Sequence, residues 1–281
     1  MGPRYFDRSD GHYLGPAYDE VRLKIDPRNP LDYAKPEGDL TAEEQRLGFG
    51  LVNRLNRLSQ GRYPNDARLE ARIKSYELAY RMQTSVPELL DTSKEPERVT
   101  QAYGPDVAKR GTFAANCLLA RRLCERGVRF VHVLSGNQSW DHHHGIKNSL
   151  PKACQKIDRP IAGLVKDLKR LGLLDSTVVH WGGEMGRLPV VQNERNAGRD
   201  HNTYGFSMGL AGGGFRAGHI HGATDEWGHH AVRDVVNHYD YHATLLRQFG
   251  LDHEQLVYKR SSREQSLTDG QPARVVEEIL A

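Results

Sequence analysis

Three separated stretches of the chain carry side chains able to bind a metal ion. SGNQSWDHHHG holds Asp141, His142, His143 and His144; GGEMGR holds Glu184 and Arg187; GRDHN holds Arg199, Asp200 and His201. Carboxylate oxygens and imidazole nitrogens together suit zinc, manganese or iron better than calcium. A mixed set with few thiols fits a catalytic metal better than a structural one. Asp141 and His143 are two residues apart, so in an extended segment they face the same side. The three adjacent histidines cannot all point inward, which leaves one or two of them for solvent or for supporting contacts. Each stretch alone also reads as something plainer: an exposed loop, a strand terminator with a capping acid, an ordinary turn. Only their convergence makes a site.

The elements around them supply a route to convergence. Residues 128–134 (VRFVHVL) form a short β-branched run that predicts a buried strand. A helix follows over 150–171, with Ile157, Ile161, Leu164, Leu168 and Leu171 on one stripe and Gly172 closing it. Residues 176–181 (STVVHW) predict a second strand. Strand, helix, strand is a βαβ unit, which implies parallel strands and a right-handed crossover. Both strands empty into the clusters, and open α/β sheets bind ligands beyond the carboxyl ends of their strands. Residues 206–210 predict an antiparallel return strand, so Asp200 and His201, just before it, belong on the same sheet edge.

Upstream, residues 1–40 read as irregular, punctuated by Pro27, Pro30, Pro36 and Gly38. TAEE at Thr41 forms a capping box that opens a helix over 41–58. Further helices are expected over 66–82, with Leu69, Ile73, Tyr76 and Tyr80 on one stripe, over 106–126 ending at Gly127, and over 239–249. SVPELLDTSKEPERV between them reads as a loop. The expected organisation is one domain over 1–281, irregular and then helical to residue 126, with sheet and site from 127.

Composition sets the outer bounds. The 281 residues, 38% hydrophobic and 27% charged, are enough for a large domain with a core. The net charge of +3 comes from 39 basic and 36 acidic residues that are mixed along the chain. With no basic block, nucleic acid and a membrane surface are not expected partners, and no apolar run reaches the roughly 18 residues of a membrane span. Cys117, Cys124 and Cys154 have no CxxC spacing; Cys117 and Cys124 share a helix face with Phe113 and Ala120, as core residues do. His132 and His180, inside the expected strands, read as core or supporting histidines. The first residues have no apolar stretch of the export type and no twin arginine, so the compartment stays open.

At these residues the chain resembles the DUF1501 family, placed in the alkaline-phosphatase/sulfatase superfamily. The resemblance rests on RIKSYELAYRMQTSVPELLD, CLLARRLCERGVRFVHV, SWDHHH, DSTVVHWGGEMGRLP, GRDHNTYGFSMGLAGGGFRAGHIHGATDEWG and DYHATLLRQFGLDHEQL, nearly the whole chain. It implies an α/β three-layer sandwich with a mainly parallel sheet. It also implies a divalent metal, zinc first, with manganese or calcium as alternatives, held by Asp141, His143 and His201. Glu184 would be a second-site carboxylate, with Asp200, Arg187, Arg199 and His144 in supporting or substrate-binding places. The superfamily hydrolyses phosphate or sulfate esters, so the implied activity is hydrolysis of a small anionic ester or a sulfated glycan. Two departures from its pattern bear on activity. GGE stands where DH usually follows the strand, and the family's opening strand with its GGP-type nucleophile loop has no counterpart in residues 1–22. The amino-terminal part of the fold is thus expected to be missing, the catalytic nucleophile is not assignable, and an exposed edge would favour a homo-oligomer. Relatives are often exported to the periplasm. The rival readings are a non-catalytic metal- or glycan-binding protein using the same histidine-rich edge, and a structural protein without metal.

Overall fold

The computed structural model describes residues 41–281 apart from 65, 67–68, 71–72, 75–76, 78–88, 137 and 261–262. The irregular stretch 1–40 and most of the helix expected over 66–82 lie outside the described residues. Among the latter are five helices: α1 (Ala42–Arg62), α2 (Glu97–Tyr103), α3 (Phe113–Glu125), α4 (Ile146–Arg170) and α5 (His238–Gln248). Eight short strands accompany them: β1 (Val179–Trp181), β2 (Gly186–Arg187), β3 (His201–Asn202), β4 (Gly209–Ala211), β5 (Ala223–Thr224), β6 (Ala231–Arg233), β7 (Val257–Arg260) and β8 (Arg263–Ser266). They pair two by two, β1 with β4, β2 with β3, β5 with β6 and β7 with β8, every pair antiparallel. The chain is mixed α/β.

Local signals account for the helices. Thr41 Oγ1 accepts the Glu44 N–H at 3.2 Å and the Glu44 carboxylate accepts the Thr41 N–H at 2.8 Å, so the capping box starts α1 as expected. Thr112 caps α3 through Ala115 N–H, and Asn237 and Asp240 form a second capping box on α5. The helix expected over 106–126 begins later, because 106–112 form turns closed by the Thr112 hydroxyl on the carbonyls of Asp106 and Lys109.

α2 and α3 pack against α4 around a core of Val99, Tyr103, Val107, Ala114, Cys117 and Leu118, joined by Phe113, Val133 and Leu164. A Cβ on Gly163 of α4 would lie 2.8 Å from the Ala102 carbonyl oxygen, so the bare backbone is what lets α2 approach so closely. Leu168 is buried, and Ile157, Ile161, Leu164 and Leu171 flank it half-buried. Cys117 is a core residue, and burial pushes its thiol up to about 12.

The parallel pair expected from 128–134 and 176–181 is not formed among the described residues. β1 pairs with the return strand instead, Val179 opposite Ala211 and Trp181 opposite Gly209. Residues 128–134 have no ladder partner; Val133 packs on the core while Phe130 and Leu134 stay 73% and 57% exposed. A parallel strand is stable where both of its faces are covered, and here only the helical side is. His132 and His180 are likewise exposed, not core. Among the described residues no helix is long and apolar enough to cross a membrane.

Candidate metal centre

The loop after residue 134 is braced by its own polar groups. Trp140 Nε1 donates to Ser135 Oγ at 2.9 Å and Ser139 Oγ donates to the Gly136 carbonyl at 3.2 Å, so both serines are tied into the turn. Asp141 and His143 follow directly. His201 arrives from another direction, on the β2–β3 ladder, where it stands opposite Arg187. Residues directly opposite in an antiparallel pair project to the same face, so one two-stranded ladder aims Arg187 and His201 together.

The segment 188–200 is fastened to the loop that carries Asp141 and His143. Arg199 N–H donates to the His142 carbonyl at 2.9 Å and Ile146 N–H to the Ala197 carbonyl at 2.9 Å, while Leu188 N–H reaches the Asp200 carbonyl at 2.8 Å. A Cβ on Gly198 would fall 1.9 Å from the His143 carbonyl oxygen, so this contact admits only glycine.

Three nitrogens converge on a single oxygen. Asp141 Oδ1 lies 2.9 Å from His201 Nε2, 3.0 Å from His143 Nε2 and 3.3 Å from Arg187 Nη2. The hydrogen bond with His201, with His143 and Arg187 adding their attraction against a small burial cost, holds the Asp141 carboxyl below its ordinary value. One ligand atom from each of Asp141, His143 and His201 lies within 4.8 Å of the others, so the group could hold a metal ion. With metal–ligand bonds of about 2.0–2.2 Å, donor atoms of one centre stand roughly 3–3.5 Å apart; the two edges to Asp141, 3.0 and 2.9 Å, lie at the bottom of that range and just below it. One carboxylate with two imidazoles is a donor set that fits a borderline transition metal.

The remaining expected residues lie around this group. Glu184 is not part of it: its side chain is 65% exposed and 3.7 Å from Arg187 Nη2. The Asp200 carboxylate accepts the backbone N–H of His201 at 2.8 Å, fixing the position of His201 through the main chain and not through the ring. Arg199 spends its guanidinium on the Pro189 carbonyl at 2.7 Å, which makes it a loop tie. His144 is exposed, its ring 6.4 Å from that of His143. One contact had no sequence signal: Gln192 Oε1 lies 2.7 Å from His143 Nδ1. A single glutamine in VVQNERNAG carries no spacing or pattern that would single it out.

A mixed α/β chain with an Asp/His/His group of this geometry is a candidate metalloprotein. The chain belongs to the DUF1501 family, described as a protein of unknown function, whose sequence profile matches residues 4–280. No curated protein and no solved structure matches it.

Proposed function

We propose that this chain is a hydrolase-like metal-binding protein, with one divalent cation on Asp141, His143 and His201, whose ligand is an anionic phosphate or sulfate ester. The observation that carries the reading is the convergence of both Nε2 atoms on one Asp141 oxygen, 2.9 and 3.0 Å away. Three protein ligands leave positions on the ion for a water and for an ester oxygen, the arrangement by which a bound metal polarises a substrate and lowers the pKa of water. Two imidazoles favour zinc, with manganese next and calcium last. The resemblance to the alkaline-phosphatase/sulfatase superfamily, with its mainly parallel three-layer sandwich, supplies the class of ester. Glu184 alone offers too few ligands for a second ion, so the reading is a one-ion centre.

Arg187 supports the anionic character of the ligand. Its Nη2 stands 3.3 Å from the oxygen that would take the cation, and its Nη1 is buried with no hydrogen-bond partner among the described residues. An ion there and the guanidinium are like charges in near contact, and an oxyanion between them offsets both. Arg187→Gln should therefore weaken inorganic phosphate binding to the zinc-loaded chain by about tenfold or more, the worth of one charge-assisted hydrogen bond. Calorimetry with phosphate checks this, and equal affinities would remove Arg187 from the site.

The direct experiment is metal analysis of the purified chain, followed by assays of p-nitrophenyl phosphate and sulfate with zinc, manganese and calcium. An Asp141→Ala, His201→Ala variant runs beside it. The expected result is one ion per chain, lost in the variant, with little or no turnover of these simple esters. One ion polarises an ester oxygen but does not clamp attacking and leaving oxygens together as ions roughly 3.5–4 Å apart do. A wild-type chain that binds no ion would overturn the reading. Metal-dependent turnover abolished in the variant would show that one ion suffices for catalysis.

A further inference from the structure

The contact between Gln192 and His143 decides which nitrogen of that ring faces the cluster. An amide oxygen only accepts hydrogen bonds, so at 2.7 Å from Gln192 Oε1 the His143 Nδ1 must carry a proton and donate it. In a neutral ring the other nitrogen, Nε2, then presents a bare lone pair. That lone pair faces Asp141 Oδ1 at 3.0 Å, lone pair toward lone pair, unless a positive charge lies between. The arrangement is electrostatically satisfied by a cation bound to both atoms or by a second proton on the ring.

We propose that Gln192 is a positioning residue that locks His143 in the Nδ1–H form and thereby dedicates Nε2 to the metal; this rests on the metal-centre reading of the site. Two features place Gln192 for the task. Its own N–H donates to the Gly198 carbonyl at 3.1 Å, and Gly198 is the residue pressed against the His143 carbonyl, so the amide and the imidazole are both referenced to one point of backbone. The competing acceptor is too distant: Asp200 Oδ1 lies 3.8 Å from the same Nδ1, beyond hydrogen-bond range. A ligating imidazole commonly gives its second N–H to such a partner, which fixes tautomer and ring orientation. Here the partner is an uncharged amide, which sets the ring without adding a negative charge to the centre.

The test uses the full chain and two variants, Gln192→Leu, which removes the acceptor, and Gln192→Glu, which keeps one. Nitrogen-15 NMR of the histidine rings, with His143→Ala for assignment, reports the tautomer in metal-free protein. Zinc affinity is measured by competition with a chromophoric chelator. Wild type should show His143 protonated on Nδ1. Gln192→Leu should lose that preference and bind zinc about 10- to 100-fold more weakly, while Gln192→Glu keeps the tautomer and falls no more than a few-fold. Gln192 is exposed, so both variants should fold, and circular dichroism checks it. Leu and Glu variants falling alike would reduce Gln192 to a loop-packing residue and overturn the proposal, as would a wild-type ring protonated on Nε2 alone. If wild type shows the Nδ1–H tautomer yet binds no zinc, the metal-centre reading fails and the Gln192–His143 lock stands as a feature of the loops alone.

Discussion

Asp141→Ala should abolish the zinc binding proposed for this chain, an effect well beyond the roughly 10- to 100-fold that follows loss of an outer partner. Asp141 is the hub of the cluster: both imidazole Nε2 atoms and the Arg187 guanidinium converge on its Oδ1. Without it the site keeps two neutral ligands and a neighbouring positive charge, which repels a cation. The His201 hydrogen bond already holds the Asp141 carboxyl below its usual range, so the carboxylate stays ionised and available well into mild acid. The measurement is a thermal shift. A ligand present at 100 times its Kd stabilises the fold by about 2.7 kcal/mol, and at roughly 2–4 °C per kcal/mol for a chain of this size zinc should raise the wild-type Tm by several degrees. The Asp141→Ala chain should show no shift at the same concentration. In metal-free protein Asp141→Ala should melt somewhat lower than wild type, because the contacts that hold the Asp141 carboxyl below its ordinary value are lost, so the zinc-induced shift within each chain is the readout. A zinc-induced shift that survives in Asp141→Ala would assign the ion to other ligands.

The residues of this centre were more legible in the sequence than the path that brings them together. Asp141 and His143 share one loop, and their spacing of two was enough to expect both on one side. His201 is expected beside them because two parallel strands would deliver two loops to one sheet edge and an antiparallel return strand over 206–210 would begin on that same edge. It reaches them instead through β2 and β3, strands of two residues each, which set Arg187 opposite His201. Two residues carry no periodicity, so no sequence pattern could announce that ladder. The run 128–134 misled for a related reason. Its β-branched residues fit a pleated backbone, but a strand also needs a neighbour to share its hydrogen bonds, and composition says nothing about whether one is present. The start of α1 is legible because Thr41 and Glu44 act within a single turn, whereas the Asn237–Asp240 box of α5 and the first residues of α2, inside a stretch that reads as loop, are not. Asp167 escaped notice because a lone acid inside the amphipathic pattern of α4 reads as solvent-facing, whereas it is buried among charges contributed by α3 and the segment before α2.

That buried cluster carries the largest stability effect expected in the chain. Arg121, only 4% exposed, holds Glu95 at 2.6 Å, Glu125 at 2.5 Å and Asp167 at 3.0 Å. Arg170 adds two hydrogen bonds to Asp167 at 2.7 and 2.9 Å, the Tyr103 hydroxyl lies 3.2 Å from the same carboxylate, and Arg122 pairs with Glu95 while donating to the Leu89 carbonyl at 2.8 Å. Burial opposes the charge on Arg121, but the hydrogen bonds to Glu95 and Glu125 outweigh it and keep the guanidinium protonated above its ordinary range. Burial, with the negative charge of Asp167 beside it, holds Tyr103 in its neutral form. Arg121→Met keeps much of the side-chain volume but leaves Glu95 and Asp167, 8% and 2% exposed, without their shared cation. Breaking a buried pair in this way costs about 3–5 kcal/mol, which should appear as a drop in Tm of roughly 6–20 °C. In Arg121→Met, Glu95 keeps Arg122 and Asp167 keeps Arg170, but each has lost one of its cations. Asp167→Asn added to Arg121→Met removes one of these under-compensated charges, so the double variant should be less destabilised than the sum of the two single variants, a coupling of about 0.5–3 kcal/mol in a double-mutant cycle. Zinc affinity measured well below the melting transition should be unchanged in Arg121→Met, because the centre draws its ligands from the loop after residue 134 and from β3. Additive losses would show that Arg121 and Asp167 stabilise the helices through separate contacts and not as one network.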